Sequence, residues 1–312
     1  MDTSTRDGKA RVLVVGESLV DIVIDASGRC TEHVGGSPAN VARGLGRLGV
    51  GATLLTTYGQ DPRGDTIEND LRRSGVHVIQ AGHPQIPTST ATAHLQHNNS
   101  ATYTFDLNWE LASVELPSFD HLHIGSLAII QDPGASQVAR IVAGAAHTTT
   151  VSYDVNVRPE MMNPRAESIT RIDSMIGHSA IVKLSEEDLA WLRPGERYLD
   201  SVRWLMARGP SILAVTHGEA GATAYTRSGA TMVRSRPVEV VDTIGAGDAF
   251  MAGLLHALTE RNLLGGDARE SLREIDPNTL RDVMHHANYC AALTVATAGA
   301  QLPNLDDLAA AS

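Results

Sequence analysis

Short apolar, β-branched segments alternate with helical patterns along most of this 312-residue chain, and this alternation restricts its fold more than any other feature. Such alternation is typical of βαβ units, which assemble into a largely parallel sheet. The strand candidates are short runs of mostly apolar residues: Arg11–Gly16, Ala52–Tyr58, His121–Ile124, Thr149–Val155, Ala180–Lys183 and Ile212–Thr216. The helix candidates lie between and after them: Pro38–Leu48, Pro62–Ser74, Ser136–His147, Ser185–Leu192, Leu199–Arg208, Gly245–Thr259 and Pro277–Thr297. We therefore expect one doubly wound α/β domain over residues 1–312, with helices on both faces of the sheet.

Two segments interrupt this alternation. Leu19–Val34 and Pro87–Leu107 lack helical periodicity and alternate polar with apolar residues, as β-strands do. In the second segment Asn98-Asn99 supplies turn residues between two halves, which favours a β-hairpin. Strands that do not belong to the parallel sheet are candidates for a small β lid. A third segment, Gly265–Pro277, is polar and is expected to be a surface loop.

Composition and charge exclude several classes of function. The net charge of -11 repels phosphate backbones and no basic cluster offsets it, so we expect no nucleic-acid binding. The first apolar run, Val12–Gly16, is too short for a membrane span or a signal segment, so we expect no membrane association and a cytoplasmic location. The only cysteines, Cys30 and Cys290, lack a CxxC pattern, and we expect two free thiols.

The most informative stretch is Val238–Gly253, where an extended apolar run meets small residues and then a helical pattern. The amides of Gly245, Ala246 and Gly247 can point outward together at the start of that helix and form an anion hole. Asp248 follows in the first turn, where it could accept the proton of a hydroxyl that attacks a bound phosphoryl group. The alternative is an ordinary N-terminal helix carboxylate that satisfies backbone donors.

Two familiar phosphate-binding patterns do not apply. The chain contains no GxxxxGK[ST] sequence, so a nucleotide needs another cradle. A GxGxxG pattern occurs at Gly44–Gly49, but it lies within a helical pattern and not between a strand and a helix. Its glycines are better explained by close helix packing and a helix end.

Two motifs in register resemble the paired signatures of the ribokinase-like (PfkB) carbohydrate kinases: Gly35–Ala42, with the sequence GGSPANVA, and Asp242–Asp248, with the sequence DTIGAGD. The resemblance extends from Val12 to about Leu305, and the motifs are closest to those of fructokinases. It implies a ribokinase-like fold with a β lid, and transfer of a phosphoryl group from ATP to a sugar. It also implies Mg²⁺ as a cofactor and leaves K⁺ activation open.

The same resemblance implies a set of sugar-binding residues. The opening strand resembles the family's, which makes Asp21 a sugar ligand, and Gly35, Gly36 and Asn40 match positions that meet the sugar. A polyol requires carboxylate and amide groups in fixed directions. Arg158, in a D-x-N-x-R segment found in fructokinases and 2-keto-3-deoxygluconate kinases, is a candidate contact for phosphate or sugar. The alternatives are a strand-end turn for Asp21, a first-turn helix residue for Asn40 and a surface ion pair for Arg158.

Nucleotide contacts are implied in the second half of the chain. Thr216, Gly218 and Gly221 resemble a T-x-G-x-x-G nucleotide loop, whose glycines give the backbone room beside a triphosphate. Lys183 precedes this loop and is also expected to bind the nucleotide. Asn288 matches a position near the adenine, although a helix-surface asparagine is a comparable explanation.

A metal-binding element is less clear. The segment after Lys183 resembles the family's N-x-x-E element, which organises magnesium through water. This chain has Ser185 in place of the asparagine and Asp188 in place of the glutamate. We therefore name Asp188 and Glu187 as metal candidates, with Glu186 as a further possibility.

The substrate is predicted from the lid. Leu19–Val34 contains only one Lys or Arg, Arg29, and Pro87–Leu107 contains neither, which favours an unphosphorylated sugar. Aromatic residues are 4% of the chain, which disfavours stacking on a nucleoside. Fructose is the first choice, with 2-keto-3-deoxygluconate, ribose or a nucleoside as alternatives. A silent sugar-binding regulatory protein is the alternative from another class, and a homodimer through the lid is expected.

Overall fold

The computed structural model describes residues 10–83, 85–95, 101–162 and 164–310. Its main sheet has nine strands in the order β13-β12-β11-β10-β9-β8-β1-β4-β5. All neighbouring pairs from β5 to β11 are parallel, and the edge strands β12 and β13 are antiparallel. The strands of this sheet are β1 Val12–Val15, β4 Ala52–Thr56, β5 His77–Gln80, β8 His121–Gly125, β9 Thr150–Asp154, β10 Ile181–Ser185, β11 Ile212–Thr216, β12 Ala222–Thr226 and β13 Gly229–Val233. The expected doubly wound, largely parallel sheet is confirmed.

Helices cover both faces of this sheet. They are α1 Ser37–Arg47, α2 Pro62–Arg73, α3 Gly134–Ala145, α4 Arg165–His178, α5 Glu186–Leu192, α6 Tyr198–Met206, α7 Ala246–Thr259, α8 Arg269–Arg273, α9 Pro277–Val295 and α10 Leu305–Ala310. Helices α1, α2, α7 and α9 share one buried apolar cluster with the sheet, and α3 to α6 share the other. In the described part of the chain, no helix has the length and apolar character that a membrane span requires.

A second, four-stranded sheet has the order β3-β2-β6-β7, with β2 Leu19–Ile24, β3 Cys30–Gly35, β6 Thr90–Leu95 and β7 Ala101–Asp106. It is built from the two segments that interrupt the βα alternation, which are the predicted lid segments. Strand β2 follows β1 after only three residues, so this second sheet begins at the carboxyl edge of the main sheet. The predicted turn at Asn98-Asn99 lies outside the described residues.

Helix α7 lies at the centre of its face of the molecule, because every residue from Asp248 to Thr259 is buried. A helix that is apolar on all sides must be covered on all sides. It packs against α1 and α9. A Cβ on Gly44 of α1 would lie 2.7 Å from the Cβ of Ala252, so glycine is needed for this close approach. The interpretation of Gly44 as a packing glycine therefore agrees with the structure.

Several elements were missed by sequence reasoning. Helix α4 is not among the predicted helices, although its buried Ile172, Met175 and Ile176 lie at helical spacing. Strands β12 and β13 are rich in Ala, Thr and Gly, which gives little hydrophobic signal. The expectation of a surface loop at Gly265–Pro277 was wrong in part: this segment contains α8, with Leu272 buried against the core.

Candidate active site

Asp248 lies in the first turn of α7 and is buried. Its Oδ1 accepts a hydrogen bond from Ser37 Oγ at 2.7 Å, and its Oδ2 accepts one from Asn40 Nδ2 at 2.7 Å. Both donors belong to the first turn of α1, so the two helix N-termini meet at this carboxylate. The two bonds fix the direction of a carboxylate that would otherwise rotate freely.

The start of α7 is suited to an anion. Gly245 is its N-cap, with φ of 78°, a left-handed conformation that glycine adopts without strain. No side chain among the described residues caps this helix, and Ala249 N donates to Gly245 O at 2.8 Å. The amides of Gly247 and Asp248 precede that bond and are available to a phosphoryl oxygen beside the carboxylate. Ala246 N is turned toward Thr243 O, at 3.3 Å, so it is less available than the sequence suggested.

Asp21 lies on β2 near this carboxylate. Burial and, second, the negative charge of Asp248 raise the pKa of Asp21, the charges of Arg158, His33 and Arg43 act against this, and the net pKa is about 6. A Cβ on Gly35 would lie 2.0 Å from Asp21 Oδ2, so the glycine makes room for the carboxylate. Gly36 has φ of 98° and begins α1 as its N-cap. The predicted sugar residues Asp21, Gly35, Gly36 and Asn40 are thus brought together around Asp248.

A buried ion pair lies on the other side of the anion hole. Lys183 Nζ, on β10, lies 2.9 and 3.1 Å from the two carboxylate oxygens of Asp154, on β9. Burial raises the pKa of Asp154, and the Lys183 charge acts against this. Burial lowers the pKa of Lys183, but the charges of Asp154, Asp188 and Asp248 raise it by more, which keeps the ammonium protonated. A Cβ on Gly247 would lie 2.8 Å from Lys183 Nζ, so the ammonium abuts the start of α7.

Glu17 and Arg158 lie at the carboxyl edge of the sheet. Glu17 Oε2 accepts the amide of Ala128 at 3.0 Å, and burial raises the pKa of Glu17 to about 8. The Arg158 charge acts against that rise, as it does at Asp21. Arg158 is exposed, and its Nη1 donates to Asn156 Oδ1 at 2.8 Å. Arg158 is therefore close enough for its charge to act on both Glu17 and Asp21, and among the described residues no ion pair to Arg158 is found.

The metal candidates lie at the start of α5. Asp188 closes a capping box: its Oδ2 accepts Ser185 N at 2.8 Å, and Ser185 Oγ accepts Asp188 N at 3.0 Å. Asp188 Oδ1 accepts Val157 N at 2.8 Å, which ties α5 to the segment after β9. Glu187 and Glu186 are exposed, and Glu186 Oε1 lies 3.0 Å from His217 Nδ1. A metal role for Asp188 and Glu187 stays a prediction.

The predicted nucleotide loop lies at the end of β11. Thr216 ends the strand, and Gly218 and Gly221 both have left-handed backbones, with φ of 55° and 103°. A Cβ on Gly221 would lie 2.1 Å from Val233 O, so only glycine fits. Asn288, on α9, is buried, and its Nδ2 lies 3.3 Å from the carbonyl oxygens of Val233 and Arg234. Asn288 therefore holds the chain after β13, and its contact with adenine stays a prediction.

Three residues at the site were missed as candidates. Ser37 stands within the GGSPAN motif, and Asp154 opens the D-x-N-x-R segment, so both had a signal in the sequence. Glu17 follows the first strand directly, where ligand-binding residues of α/β sheets collect. The site as a whole contains a fixed, buried carboxylate beside free helix amides and an ammonium. This arrangement can deprotonate a hydroxyl while a phosphoryl group is held against the amides.

The chain matches the family model described as pfkB family carbohydrate kinase over residues 9–307. A curated relative, the fructokinase of Salmonella typhimurium, is 32% identical over 311 residues, which cover 96% of this chain and 98% of that protein. These matches span nearly the whole chain and include every residue of the site described above.

Solved structures agree with the sequence comparison. A fructokinase from Vibrio cholerae O395, with fructose, ADP and calcium ion bound, has a TM-score of 0.81 and 27% identity, over 97% of this chain and 99% of that chain. An aminoimidazole riboside kinase from Salmonella enterica, complexed with aminoimidazole riboside and an ATP analog, has a TM-score of 0.79 and 25% identity, over 96% of this chain and 98% of that chain.

Proposed function

The chain belongs to the pfkB family of carbohydrate kinases and is a sugar phosphotransferase, and we propose that it transfers the γ-phosphoryl group of ATP to a hydroxyl of unphosphorylated fructose. The observation that carries this proposal is the buried Asp248 carboxylate, held by Ser37 and Asn40 beside the free amides of α7. A catalytically silent sugar-binding protein would not require a base in this position.

In the proposed reaction, Asp248 accepts the proton of the attacking sugar hydroxyl. The hydroxyl oxygen forms a bond to the γ-phosphorus, the bond to the β–γ bridging oxygen breaks, and ADP leaves with that electron pair. The amides of Gly247 and Asp248 stabilise the charge on the transferred phosphoryl oxygens, and the Lys183 ammonium lies close enough to assist. Asp21, with the backbone at Gly35 and Gly36, orients the sugar. Thr216, Gly218 and Gly221 make room for the nucleotide.

The choice of an unphosphorylated sugar rests on the lid. Arg29, which is the only Lys or Arg of its first segment, is 78% exposed at the β2–β3 turn and pairs with Asp25 at 3.2 Å. It is therefore not placed to bind a sugar phosphate. Fructose is preferred because the curated relatives that match over most of the chain are named fructokinase. Ribose, 2-keto-3-deoxygluconate and a nucleoside remain the competing substrates.

The experiment for this proposal is a coupled assay of ADP release with a panel of fructose, ribose, 2-keto-3-deoxygluconate, aminoimidazole riboside and fructose 6-phosphate. We expect the highest kcat/KM for fructose. A higher kcat/KM for aminoimidazole riboside would indicate a nucleoside kinase instead. If none of the five compounds stimulated ADP release, the silent sugar-binding protein would be favoured.

The pKa of Asp21 predicts how sugar binding depends on pH. If the ionised carboxylate accepts hydroxyl groups, the KM for the sugar should rise by up to about tenfold between pH 7 and pH 5, since only about a tenth of a group with a pKa of about 6 is ionised at pH 5. The KM for ATP should change little.

The same pKa determines how Asp21 affects stability. Because the pKa of Asp21 in the folded protein lies above the usual value of 3.8, the folded protein binds the proton more tightly than the unfolded chain. Acidification therefore does not destabilise the fold through Asp21. In Asp21→Asn the pH dependence of the sugar KM should disappear; an unchanged dependence would contradict the role of Asp21.

We also propose that the reaction requires Mg²⁺. Phosphoryl-transfer sites hold this ion largely through phosphate oxygens, water and one or two carboxylates, which fits a site where no three metal-ligating side chains cluster among the described residues. Glu187 and Asp188, at the start of α5 shortly after Lys183, are the proposed carboxylates, and the ion would offset charge on the triphosphate. Excess chelator should remove at least about 99% of the activity. Full activity in chelator would contradict the proposal, and potassium and sodium buffers compared side by side would reveal any K⁺ activation.

The lid should close over the bound sugar. Asp21 lies on β2 and Gly35 ends β3, so the four-stranded sheet is continuous with the proposed sugar site. Closure excludes water and suppresses hydrolysis of ATP. Fructose should therefore slow hydrogen exchange in both lid segments, 19–34 and 87–107. Protection limited to the region around 245–248 would mean that these segments are ordinary surface strands.

A homodimer through the lid is a further proposal. Strands β3 and β7 are the edges of the lid sheet, and Tyr103, on β7, is 59% exposed and stacks with Phe105 at 6.2 Å. Exposed edges with aromatic residues favour pairing with a second copy. The same exchange experiment at two protein concentrations tests it: protection of β3 or β7 should increase with concentration, and concentration-independent exchange would contradict a lid-mediated dimer.

A further inference from the structure

Arg43 lies one helical turn after Asn40 on α1, and its side chain is only 11% exposed. Its guanidinium contacts three other parts of the molecule. Nη2 donates to Asn40 Oδ1 at 2.7 Å and to the carbonyl of Ala300 at 2.8 Å, and Nη1 donates to Asp70 Oδ2 at 3.0 Å. This is an arginine with directional partners on α1, on α2 and in the loop after α9.

The bond to Asn40 determines which way that amide points. A guanidinium can only donate hydrogen bonds, and an ionised carboxylate can only accept them. With Arg43 on one side and Asp248 on the other, one orientation satisfies both neighbours: Oδ1 toward Arg43 and Nδ2 toward Asp248. Arg43 thereby ensures that Asn40 presents a donor to Asp248.

The bond to Ala300 reaches the anion hole from the other side. A Cβ on Gly245 would lie 2.6 Å from the Cβ of Ala300, so the loop that carries Ala300 packs directly on the N-cap of α7. The same Nη2 atom that holds Asn40 also holds this loop. The Nη2 atom of Arg43 therefore supports two parts of the site. It supports the Asp248 carboxylate through Asn40, and it supports the amides at the start of α7 through the loop that carries Ala300.

We propose that Arg43 is a positioning residue for phosphoryl transfer, which holds the Asp248 carboxylate and the start of α7 in one fixed relation without touching either substrate. The inference rests on the proposed function. Small misplacements between a base and its reacting atoms lower the rate of the chemical step strongly. The loss of Arg43 should therefore appear in kcat and not in nucleotide binding.

The test compares Arg43→Met with Arg47→Met. Arg47 is on the same helix, one turn later, and pairs with Asp307 at 4.0 Å, whereas the side-chain hydrogen bonds of Asn40 within the described residues join it to Asp248 and Arg43. Methionine keeps the apolar stem in both variants. We expect Arg43→Met to lower kcat with the preferred sugar by about 10- to 100-fold, with the KM for ATP within about twofold of the unaltered protein. Arg47→Met should keep both constants within about twofold.

Arg43→Lys is a second variant in case Arg43→Met does not fold. The lysine ammonium keeps the positive charge and can donate to one acceptor, but it lacks the planar guanidinium that donates to two acceptors at once. We expect a kcat between those of the unaltered protein and Arg43→Met. If both Arg43 variants melt like the unaltered protein and keep kcat within twofold of it, the inference is overturned. A loss of kcat in Arg47→Met as large as that in Arg43→Met would also overturn it, whereas an unaltered protein inactive on every sugar would overturn the proposed function itself.

Discussion

Asp248→Asn is expected to lower kcat by at least about a hundredfold while the Kd for ATP stays within about twofold. Asparagine has nearly the same size and shape as aspartate, but its amide cannot accept the proton of the sugar hydroxyl. The effect on chemistry should therefore be separable from binding. Stopped-flow turnover measurements and calorimetric titration with ATP give the two quantities.

The matched control is Asp65→Asn. Asp65 also lies in the first turn of a helix, α2, but it is exposed, whereas Asp248 is buried. If Asp248 were only a carboxylate that stabilises a helix N-terminus, both variants would show similar small changes in melting temperature and unchanged kcat. A kcat of Asp248→Asn close to that of the unaltered protein would show that another group is the base.

Lys183→Met should produce the largest loss of stability. It removes the ammonium from a pair in which the side chains are 5% and 0% exposed, and it leaves the Asp154 carboxyl buried without its partner. Removal of one member of such a pair costs about 3–5 kcal/mol in the free energy of unfolding. Arg72→Met, in the exposed pair with Glu68, should cost less than about 1 kcal/mol. Urea unfolding monitored by circular dichroism measures both changes.

The double variant Asp154→Leu, Lys183→Met separates stability from activity. Apolar residues of similar volume should restore most of the lost stability, because no buried charge remains. Turnover should stay low, since the ammonium beside Gly247 is gone. A double variant that is stable and fully active would mean that the Lys183 ammonium is not needed for the transfer of the phosphoryl group.

Sequence patterns predicted those features of the fold and the site that depend on residues close together in the chain. The alternation of strands and helices gave the parallel sheet, and the glycine-rich start of α7 placed Asp248 beside free amides, because helix N-termini always leave amides unsatisfied. The capping box from Ser185 to Asp188 likewise depends on residues close together in the chain.

Contacts between distant residues could not be predicted in the same way. Ser37 and Asn40 bond to Asp248 across 211 and 208 residues, and neither bond has a local signature. The pairing of Asp154 with Lys183 follows from the register of β9 with β10, which the sequence does not specify. Arg43 looks like any other arginine on an amphipathic helix until the positions of Asn40 and Ala300 are known.

The transfer of ³²P from γ-labelled ATP to the sugar tests the central claim most directly. With fructose, Mg²⁺ and the unaltered protein, the label should appear in a fructose phosphate, in one-to-one proportion with the ADP released. Asp248→Asn should transfer at least about a hundredfold less label in the same time. Label found only in inorganic phosphate, or in no product with any sugar of the panel, would contradict the account.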